Sequence, residues 1–207
     1  MPALEQNDKK LSVLKAATSV FLAHGFSAAT TDMIQREAGV SKATMYACFP
    51  NKEAMFVAVI ERRCAIMAET LKDIPIAPGD IAGTLTEIGT SYLKFLLSPD
   101  IIAMYRVVVA EAPRFPDLGP RFYRAGPRVV ASMVAERLSE AARSGQVDLQ
   151  SFGVEAVAAL FIGMVRAEGH LEYLMHPDAR PSAAQMDQWA RLAVTTFLRA
   201  FGVTAAR

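Results

Sequence analysis

The chain has 207 residues, of which 52% are hydrophobic and 8% aromatic, and its formal net charge at pH 7 is +1. This apolar content excludes a disordered chain, and the length is sufficient for one or two substantial hydrophobic cores. The longest purely apolar stretch, residues 156–165, is far shorter than the ~20 residues that span a bilayer, so we expect no membrane segment.

The first two predicted helices are separated by a short turn. Apolar residues recur at helical spacing over residues 11–22, and His24-Gly25-Phe26 closes this helix. A second helix begins at Thr30 or Thr31, since either hydroxyl can accept a hydrogen bond from an exposed amide. It ends at Gly39, because the position after a last helical turn usually requires a positive φ.

A short third helix follows, with Ser41 as its N-cap and with Met45 and Phe49, four residues apart, on its inner face. Its outer face combines small residues with a cation, a hydroxyl and a phenol, which suits close approach to bases and phosphates in the major groove. A fourth helix then starts at Lys52, where exposed amides suit a phosphate. This pattern indicates a DNA-binding element, although an ordinary helical hairpin has similar spacing. The predicted DNA contacts are Thr30, Thr31, Lys42, Ala43, Thr44, Tyr46, Ala47, Cys48 and Lys52.

The segment A-G-V-S-K-A-T-M-Y-A-C-F-P-N-K-E-A-M-F, residues 38–56, closely resembles the N-terminal signature of TetR/AcrR-type transcriptional regulators. The resemblance covers about residues 10–60. It implies an all-α homodimer with an N-terminal three-helix helix-turn-helix domain and a C-terminal helical ligand-binding and dimerisation domain. We place these domains at residues 1–53 and 54–207. The resemblance also implies a repressor that a small-molecule effector releases from a palindromic operator.

Two positions depart from the family pattern. Cys48 stands where the family usually has a Tyr or His that contacts phosphate, and Ala43 stands where Gly is common. A redox switch at Cys48 is a further hypothesis, beside the plainer interpretation of a packed thiol. By position, the resemblance assigns DNA contacts to Thr44 and Tyr46, the base-reading start of the recognition helix to Lys42 and Ala43, and a phosphate anchor to Lys52.

The charge of this segment is low for a nucleic-acid binder, which is often distinctly basic. Residues 1–53 contain six Lys or Arg and five Asp or Glu, a difference of only +1. Binding is therefore expected to use a few placed cations, amides and hydroxyls, duplicated by dimerisation. Four further arginines are interpreted as a solvated helix face, with binding of an anion as the alternative: Arg114, Arg121, Arg124 and Arg128.

Beyond this segment the sequence predicts only helices, separated by Pro and Gly breaks, the first of them at residues 74–80. The predicted helices are 52–72, 81–97, 101–111, 115–143 with a kink at Gly126-Pro127, 151–175 and 182–201.

The first of the last two helices has an apolar surface wider than a single core-facing stripe, and the apolar residues of the second recur at helical spacing. Pairing with their copies would form a four-helix bundle across a twofold axis, which also suits a palindromic operator. The alternative is that both faces are buried within one subunit, because periodicity does not assign a partner. The predicted interface residues are Val157, Phe161, Trp189, Leu192 and Phe197.

A pocket for a small apolar or amphipathic effector is expected in the C-terminal region. Residues 104–116 resemble the body of an AefR-like subgroup of the same regulators. The charged residues Arg106, Glu111, Arg166, Glu168 and His170 lie within apolar sequence and are expected to pair with one another. The pocket candidates, each also compatible with plain core, are Tyr92, Phe95, Met104, Phe122, Met133, Phe161 and Met164.

Enzymatic motifs are absent from the sequence: there is no H-E-x-x-H, no zinc-type cysteine pair, no Gly-rich phosphate loop and no G-x-S-x-G. We therefore expect no enzyme, no metal and no cofactor. The alternatives are a helical-bundle enzyme and a helical adaptor without specific DNA binding.

The first ten residues lack the apolar core of a signal peptide, so we expect a cytoplasmic protein with reduced Cys48 and Cys64. The expected partners are double-stranded operator DNA, an effector and a second copy, and no membrane.

Overall fold

The computed structural model describes the backbone of residues 2–74, 79–176 and 178–203, and their side chains except at residues 2–6, 167 and 168. These residues form α-helices and no β-strand, which confirms the predicted all-α class. The predicted break at 74–80 lies mostly outside the described residues. The helices are α1 Pro2–Ala28, α2 Thr31–Ala38, α3 Lys42–Cys48, α4 Lys52–Lys72, α5 Ile81–Leu96, α6 Pro99–Glu111, α7 Leu118–Ala125, α8 Pro127–Arg143, α9 Val154–Met175 and α10 Ala183–Phe201.

Most predicted helix boundaries agree with the structure to within a few residues. The kink predicted at Gly126-Pro127 within the segment 115–143 is observed as a break between α7 and α8, where the backbone of Gly126 leaves the helical range, with φ −121° and ψ −85°. The predicted stop near Gly25 is a break within α1, where Gly25 has φ 71° and ψ 176° and a further turn continues to Ala28. Glycine tolerates this positive φ because it has no Cβ.

The chain divides into two compact units that do not coincide with the predicted domains. The first unit comprises residues 1–65 and 103–126, and the second comprises residues 66–102 and 127–207. Residues 103–126 therefore pack with the N-terminal segment, although they are distant from it in sequence. The predicted functional boundary between residues 53 and 54 stays a prediction.

Four phenylalanine rings pack together in the first unit. The ring of Phe26 lies 5.8 Å from Phe21, 5.3 Å from Phe56 and 5.0 Å from Phe115, measured between centroids. The last two pairs are edge-to-face, the arrangement that aromatic quadrupoles favour. This cluster joins α1 and α4 to the segment that follows α6.

One stretch of α1, Asn7–Ala28, is long and apolar enough to span a membrane by length and composition alone. The core helix of a soluble protein meets the same criterion. In this chain the stretch buries Val13, Ala17 and Phe21, and α1 packs against both α2 and α3. We interpret it as a core helix.

The second unit is built around α5, which packs against α9 and α10, while α8 packs against α9. Gly89 permits the close approach of α5 and α10, because a Cβ at this position would lie 3.3 Å from the Cβ of Ala190. Phe161 of α9 and Phe197 of α10 are fully buried, with ring centroids 5.2 Å apart. The core of this unit is therefore closed within a single chain.

This packing corrects part of the predicted dimer interface. Val157, Phe161 and Phe197 are at most 1% exposed in the single chain, so they face its own core and have no surface left for a partner. Trp189 is half-buried. Its ring packs against Gly169 so closely that an added Cβ there would lie 2.7 Å from a ring carbon. Leu192 alone of the five predicted residues is largely exposed, at 65%.

His170 is a buried histidine in α9 whose protonation the fold opposes. A guanidinium nitrogen of Arg166 lies 3.3 Å from His170 Nδ1. Because arginine has only donors, Nδ1 accepts this hydrogen bond and the imidazole is neutral. Burial, together with the charge of Arg166, lowers the pKa of His170 to about 4. Of the charged residues expected to pair in this helix, Arg166 is thus hydrogen-bonded to a neutral His170, and the side chain of Glu168 lies outside the described residues.

We expect His170 to make the folded state sensitive to acid. Its folded pKa lies below its unfolded value of 6.5, so the unfolded chain binds more protons between pH 6.5 and 4, and stability falls as the pH is lowered through this window. The loss should reach about 3 kcal/mol near pH 4. Chemical unfolding at several pH values should show a flatter profile for His170→Asn, which retains an acceptor, than for the wild type. The exposed His176→Asn serves as the control, and identical profiles for His170→Asn and wild type would contradict the assignment.

Candidate nucleic-acid interface

Local hydrogen bonds fix both ends of α2 where the sequence predicts them. Thr30 is the N-cap, with extended backbone, and its hydroxyl accepts a hydrogen bond of 3.2 Å from the Met33 amide. Gly39 is left-handed, with φ 65°, and its amide donates to the Arg36 carbonyl. Ile34 is fully buried and anchors the helix to the core. These contacts fix the start of α2 and the direction in which the chain leaves it toward α3.

The recognition-helix candidate α3 is oriented by its two apolar residues. Ser41 caps it, accepting a hydrogen bond of 3.1 Å from the Thr44 amide. Met45 is fully buried and Phe49 is 4% exposed, so the predicted inner face is confirmed. The remaining side chains of the helix lie at the surface: Lys42, Ala43, Tyr46 and Ala47 are exposed, and Thr44 and Cys48 are half-buried.

A hydrogen bond connects the start of α2 to the exposed face of α3. Tyr46, 46% exposed, places its Oη 3.1 Å from Thr31 Oγ1. Two of the predicted DNA contacts thus lie side by side, although they are fifteen residues apart. A phenol and a hydroxyl in this position can both donate to phosphate oxygens.

Lys42 forms an ion pair that the sequence analysis missed. Its Nζ lies 2.8 Å from Asp32 Oδ1, and both side chains are more than half exposed. The hydrogen bond to Asp32, followed by its charge, raises the pKa of Lys42, and the same interactions lower the pKa of Asp32. The charge of Lys42 is therefore offset by a neighbouring carboxylate. The Gly39 turn between α2 and α3 was the sequence signal that could have suggested this pairing.

Lys52 requires a correction, because its ammonium group faces the protein and not the surface expected to meet phosphate. Its Nζ donates to the carbonyl oxygens of Phe26, Ser27 and Ala29 at 2.7, 3.3 and 2.9 Å. An ammonium has three N–H donors, so these acceptors engage all of them. Burial lowers the pKa of Lys52, and the Phe26 ring lies 4.6 Å below the ammonium. Lys52 therefore holds the last turn of α1 and the link to α2 in place; we call these residues, 25–30, the elbow.

The elbow has a second polar contact that sequence reasoning did not find. Glu111, at the end of α6, accepts hydrogen bonds from the Ser27 amide at 2.9 Å and from the Ser27 hydroxyl at 2.8 Å. Arg114, interpreted from the sequence as part of a solvated face, donates to the same hydroxyl oxygen at 2.8 Å. Glu111 was expected to pair with a charged residue in apolar sequence, whereas the structure pairs it with a serine 84 residues away.

The two compact units carry opposite charges. The first unit contains twelve Lys or Arg and eight Asp or Glu, a net charge of +4, and the second contains ten and thirteen, a net charge of −3. The overall value of +1 therefore conceals a basic unit that contains α2 and α3. This distribution is better suited to a polyanionic partner than the sequence count over residues 1–53 suggested.

Both cysteines are free thiols. Burial raises the pKa of the Cys64 thiol to about 11, which favours the unreactive protonated form. Cys48 is half-buried at the end of α3, and the redox hypothesis for it stays a prediction. Among the described residues, no group of three or more His, Cys, Asp or Glu side chains is arranged to hold a metal ion.

The second unit contains a cavity of about 200 Å³ between the end of α4, α5 and α8. Of the seven predicted effector contacts, Met133 lines it. Arg137 at its edge donates to the carbonyl of Lys72 at 2.6 Å and so caps α4. The lining combines mostly buried apolar residues with mostly exposed charged residues: Leu71, Lys72, Ile88, Met133, Val134, Glu136, Arg137 and Glu140.

The other six predicted pocket residues are distributed over both units. Met104 and Phe122 belong to the first unit, where the Phe122 ring packs 4.8 Å from that of Tyr105. The remaining four lie in the second unit: Tyr92 and Phe161 are buried, and Phe95 and Met164 are half-buried. Their role in binding an effector stays a prediction.

Two family models match the chain. The model for the C-terminal domain of AefR-like transcriptional repressors matches residues 83–203, more than half of the chain. The model for bacterial regulatory proteins of the tetR family matches residues 13–59, which include α2 and α3.

Curated relatives match over less than half of the chain. A helix-turn-helix transcriptional repressor of Streptomyces coelicolor is 31% identical over 88 residues, which are 42% of this chain and 44% of that protein. The regulator RutR of Escherichia coli is 38% identical over 64 residues, or 31% of this chain and 30% of RutR. The chain therefore aligns with less than half of either protein.

Solved structures extend the likeness over nearly the whole chain. A TetR-family regulator of Mesorhizobium loti superposes with a TM-score of 0.85 at 22% identity, covering 96% of this chain and 98% of that one. The flavonoid-responsive regulator FrrA has a TM-score of 0.79 at 30% identity, covering 95% and 98%. The relatives are transcriptional regulators and not enzymes. The capped helix-turn-helix geometry, the two family models and these superpositions together show that this chain belongs to the TetR family of bacterial transcriptional regulators, with an AefR-like C-terminal domain.

Proposed function

We propose that the protein is a dimeric, cytoplasmic repressor that binds a palindromic operator through α3 and dissociates from it when a small apolar or amphipathic effector binds the second unit. The observation that carries this proposal is the orientation of α3. Met45 and Phe49 face the core, so the other side chains of α3, which are small or polar, lie at the surface. The unit that contains α3 has a net charge of +4. TetR-family regulators are DNA-binding repressors, which supports the same conclusion.

An exposed apolar stripe on α9 and α10 supports dimerisation. Leu160 and Leu171 of α9 are 50% and 56% exposed, and Leu192 of α10 is 65% exposed. Apart from Gly163 itself, its chain neighbours and its own helix backbone, no atom of the described residues lies within 4 Å of the point where a Cβ on Gly163 would stand, so the helix surface there is open to a close neighbour. A second copy related by a twofold axis would cover this stripe and present two α3 helices to a palindrome.

The cavity of the second unit supports an amphipathic effector. Its mostly buried apolar and mostly exposed charged lining residues match a molecule with one apolar and one polar side. Its volume of about 200 Å³ suits a small molecule. The similar regulator FrrA is flavonoid-responsive, which supports a small-molecule effector.

The proposal is tested by selecting bound DNA from a random double-stranded pool with the full-length protein and sequencing the result. A palindrome with half-sites about one helical turn apart is expected from a twofold dimer. Enrichment of no sequence would overturn the proposal and favour the helical adaptor. Addition of small phenolic compounds to the selected complex then tests the effector class, because release of DNA is expected.

Tyr46→Ala should weaken binding to the selected operator about ten- to a hundredfold while leaving the oligomeric state unchanged. The change removes an exposed phenol from α3 and its hydrogen bond to Thr31, and one good base or phosphate contact has about this value. Fluorescence anisotropy with labelled operator measures the effect. Tyr123→Ala, at a tyrosine 59% exposed on α7, is the matched control. Equal affinities of the two variants would count against the placement of α3 on DNA.

Asp32→Asn should strengthen DNA binding severalfold, because it releases Lys42 from its ion pair and removes a negative charge from the same surface. The slope of log K against log salt should steepen by about one unit as one more cation becomes available to phosphate. Glu37→Gln, at an exposed carboxylate of the same helix, controls for the change in net charge alone. If both variants show the same slope, Lys42 is not the group released.

Leu192→Glu, alone and combined with Leu160→Glu, should convert the dimer to a monomer at micromolar concentration, since a charged side chain would be buried in an apolar contact. Sedimentation equilibrium measures the change. Val109→Glu, at an equally exposed apolar position of α6, should leave the dimer intact. A wild-type monomer, or a double variant that still dimerises, would show that the stripe is not the interface.

A further inference from the structure

The elbow, residues 25–30, connects α1 to the helices proposed to meet DNA, and its backbone departs from regular helix. Gly25 is left-handed, and the Ala29 amide donates to the Gly25 carbonyl at 3.3 Å. Thr30, the last elbow residue, is the N-cap of α2, and Thr31 beside it is hydrogen-bonded to Tyr46. The conformation of the elbow therefore determines the position and direction of the start of α2.

Side chains from outside the elbow satisfy its backbone polar groups. Lys52 donates to three of its carbonyl oxygens, and Glu111 accepts from the amide of Ser27. The carboxylate of Glu111 also accepts from the Ser27 hydroxyl, so both of its oxygens are engaged by one residue. Such a two-point contact fixes orientation as well as distance, and hydrogen bonds to a charged group are the stronger kind.

We infer that Glu111 is a positioning residue for operator binding, which acts through Ser27 to hold the elbow in the conformation that α2 and α3 require on DNA. The inference rests on the proposed DNA-binding function and extends it to a residue outside the helix-turn-helix segment. Glu111 lies in the part of the chain matched by the C-terminal family model, but it packs in the same compact unit as α2 and α3.

Because Glu111 is charged, the direction in which DNA affinity changes when it is neutralised tests the inference. A carboxylate near a DNA-binding surface opposes association with phosphate, so removing its charge should raise affinity if electrostatics alone operates. Removing a positioning contact should lower affinity instead. A single neutral substitution therefore separates the two effects.

Glu111→Gln should lower affinity for the selected operator about tenfold, since an uncharged amide offers one acceptor oxygen to the two donors of Ser27. Asp117→Asn is the matched control, because Asp117 is an exposed carboxylate six residues away that makes no side-chain capping bond to α7. It should leave affinity unchanged or slightly raised. The salt slope should be unchanged in both variants, because neither removes a phosphate contact. Binding is measured with the full-length protein by anisotropy, at a temperature where circular dichroism shows every variant folded.

Ser27→Ala completes a double-mutant cycle and provides a milder change if Glu111→Gln does not fold. It removes the hydroxyl and keeps the amide, so its own loss should be about threefold, and the double variant should lose less than the product of the single losses. Independent effects of the two changes would overturn the inference, as would an affinity of Glu111→Gln equal to or above that of Asp117→Asn. A change in salt slope for Glu111→Gln would also overturn it. A wild-type protein that selects no operator would instead refute the proposed function itself.

Discussion

The proposed DNA-facing surface depends on how the chain satisfies the backbone polar groups of one bend, the elbow at residues 25–30. A helix that ends leaves its last carbonyls without intrahelical partners, and buried carbonyls without partners are costly. Lys52 supplies the missing donors from the first residue of α4, while its ammonium lies over the Phe26 ring. Everything that follows the elbow, from the cap of α2 to the orientation of α3, is built on that arrangement.

The unit that carries α2 and α3 is larger than the helix-turn-helix motif. Residues 103–126 contribute Glu111 and Arg114 to the polar contacts of Ser27, and Phe115 to the aromatic core beside Phe26. A fragment limited to residues 1–53 would lack these three side chains and most of α4. The division of the chain by family model, at residues 13–59 and 83–203, is therefore a division by sequence similarity and not by packing.

The sequence predicted best what is encoded within a few neighbouring residues. The cap at Ser41 and the left-handed turn at Gly39 each depend on local chemistry, and both are observed. Contacts between distant residues could not be obtained in this way: the Ser27–Glu111 contact joins positions 84 residues apart. Lys52 illustrates a different limit, because residue type shows that a cation is present but not the direction in which it points.

Periodicity has the same limit in the second unit. The pattern of α9 and α10 correctly marks an apolar stripe, but Phe161 and Phe197 turn it inward, toward each other. The exposed side of the same helices is marked by isolated large residues such as Leu160 and Leu192 and by the open surface at Gly163. A sequence gives the faces of a helix, whereas only packing decides which face meets the core.

The balance of charge follows from these contacts. Of the cations predicted to meet phosphate, Lys52 is directed into the elbow and Lys42 is paired with Asp32 in the unbound protein. Each cation that contacts a phosphate adds to DNA affinity by releasing a counterion, and a cation that is engaged elsewhere does not make this contribution. Under the proposed function, the hydroxyls and the phenol on α2 and α3 must therefore supply a larger share of each half-site contact. Dimerisation then gains importance, because joining two modest half-sites multiplies their affinities without requiring more charge.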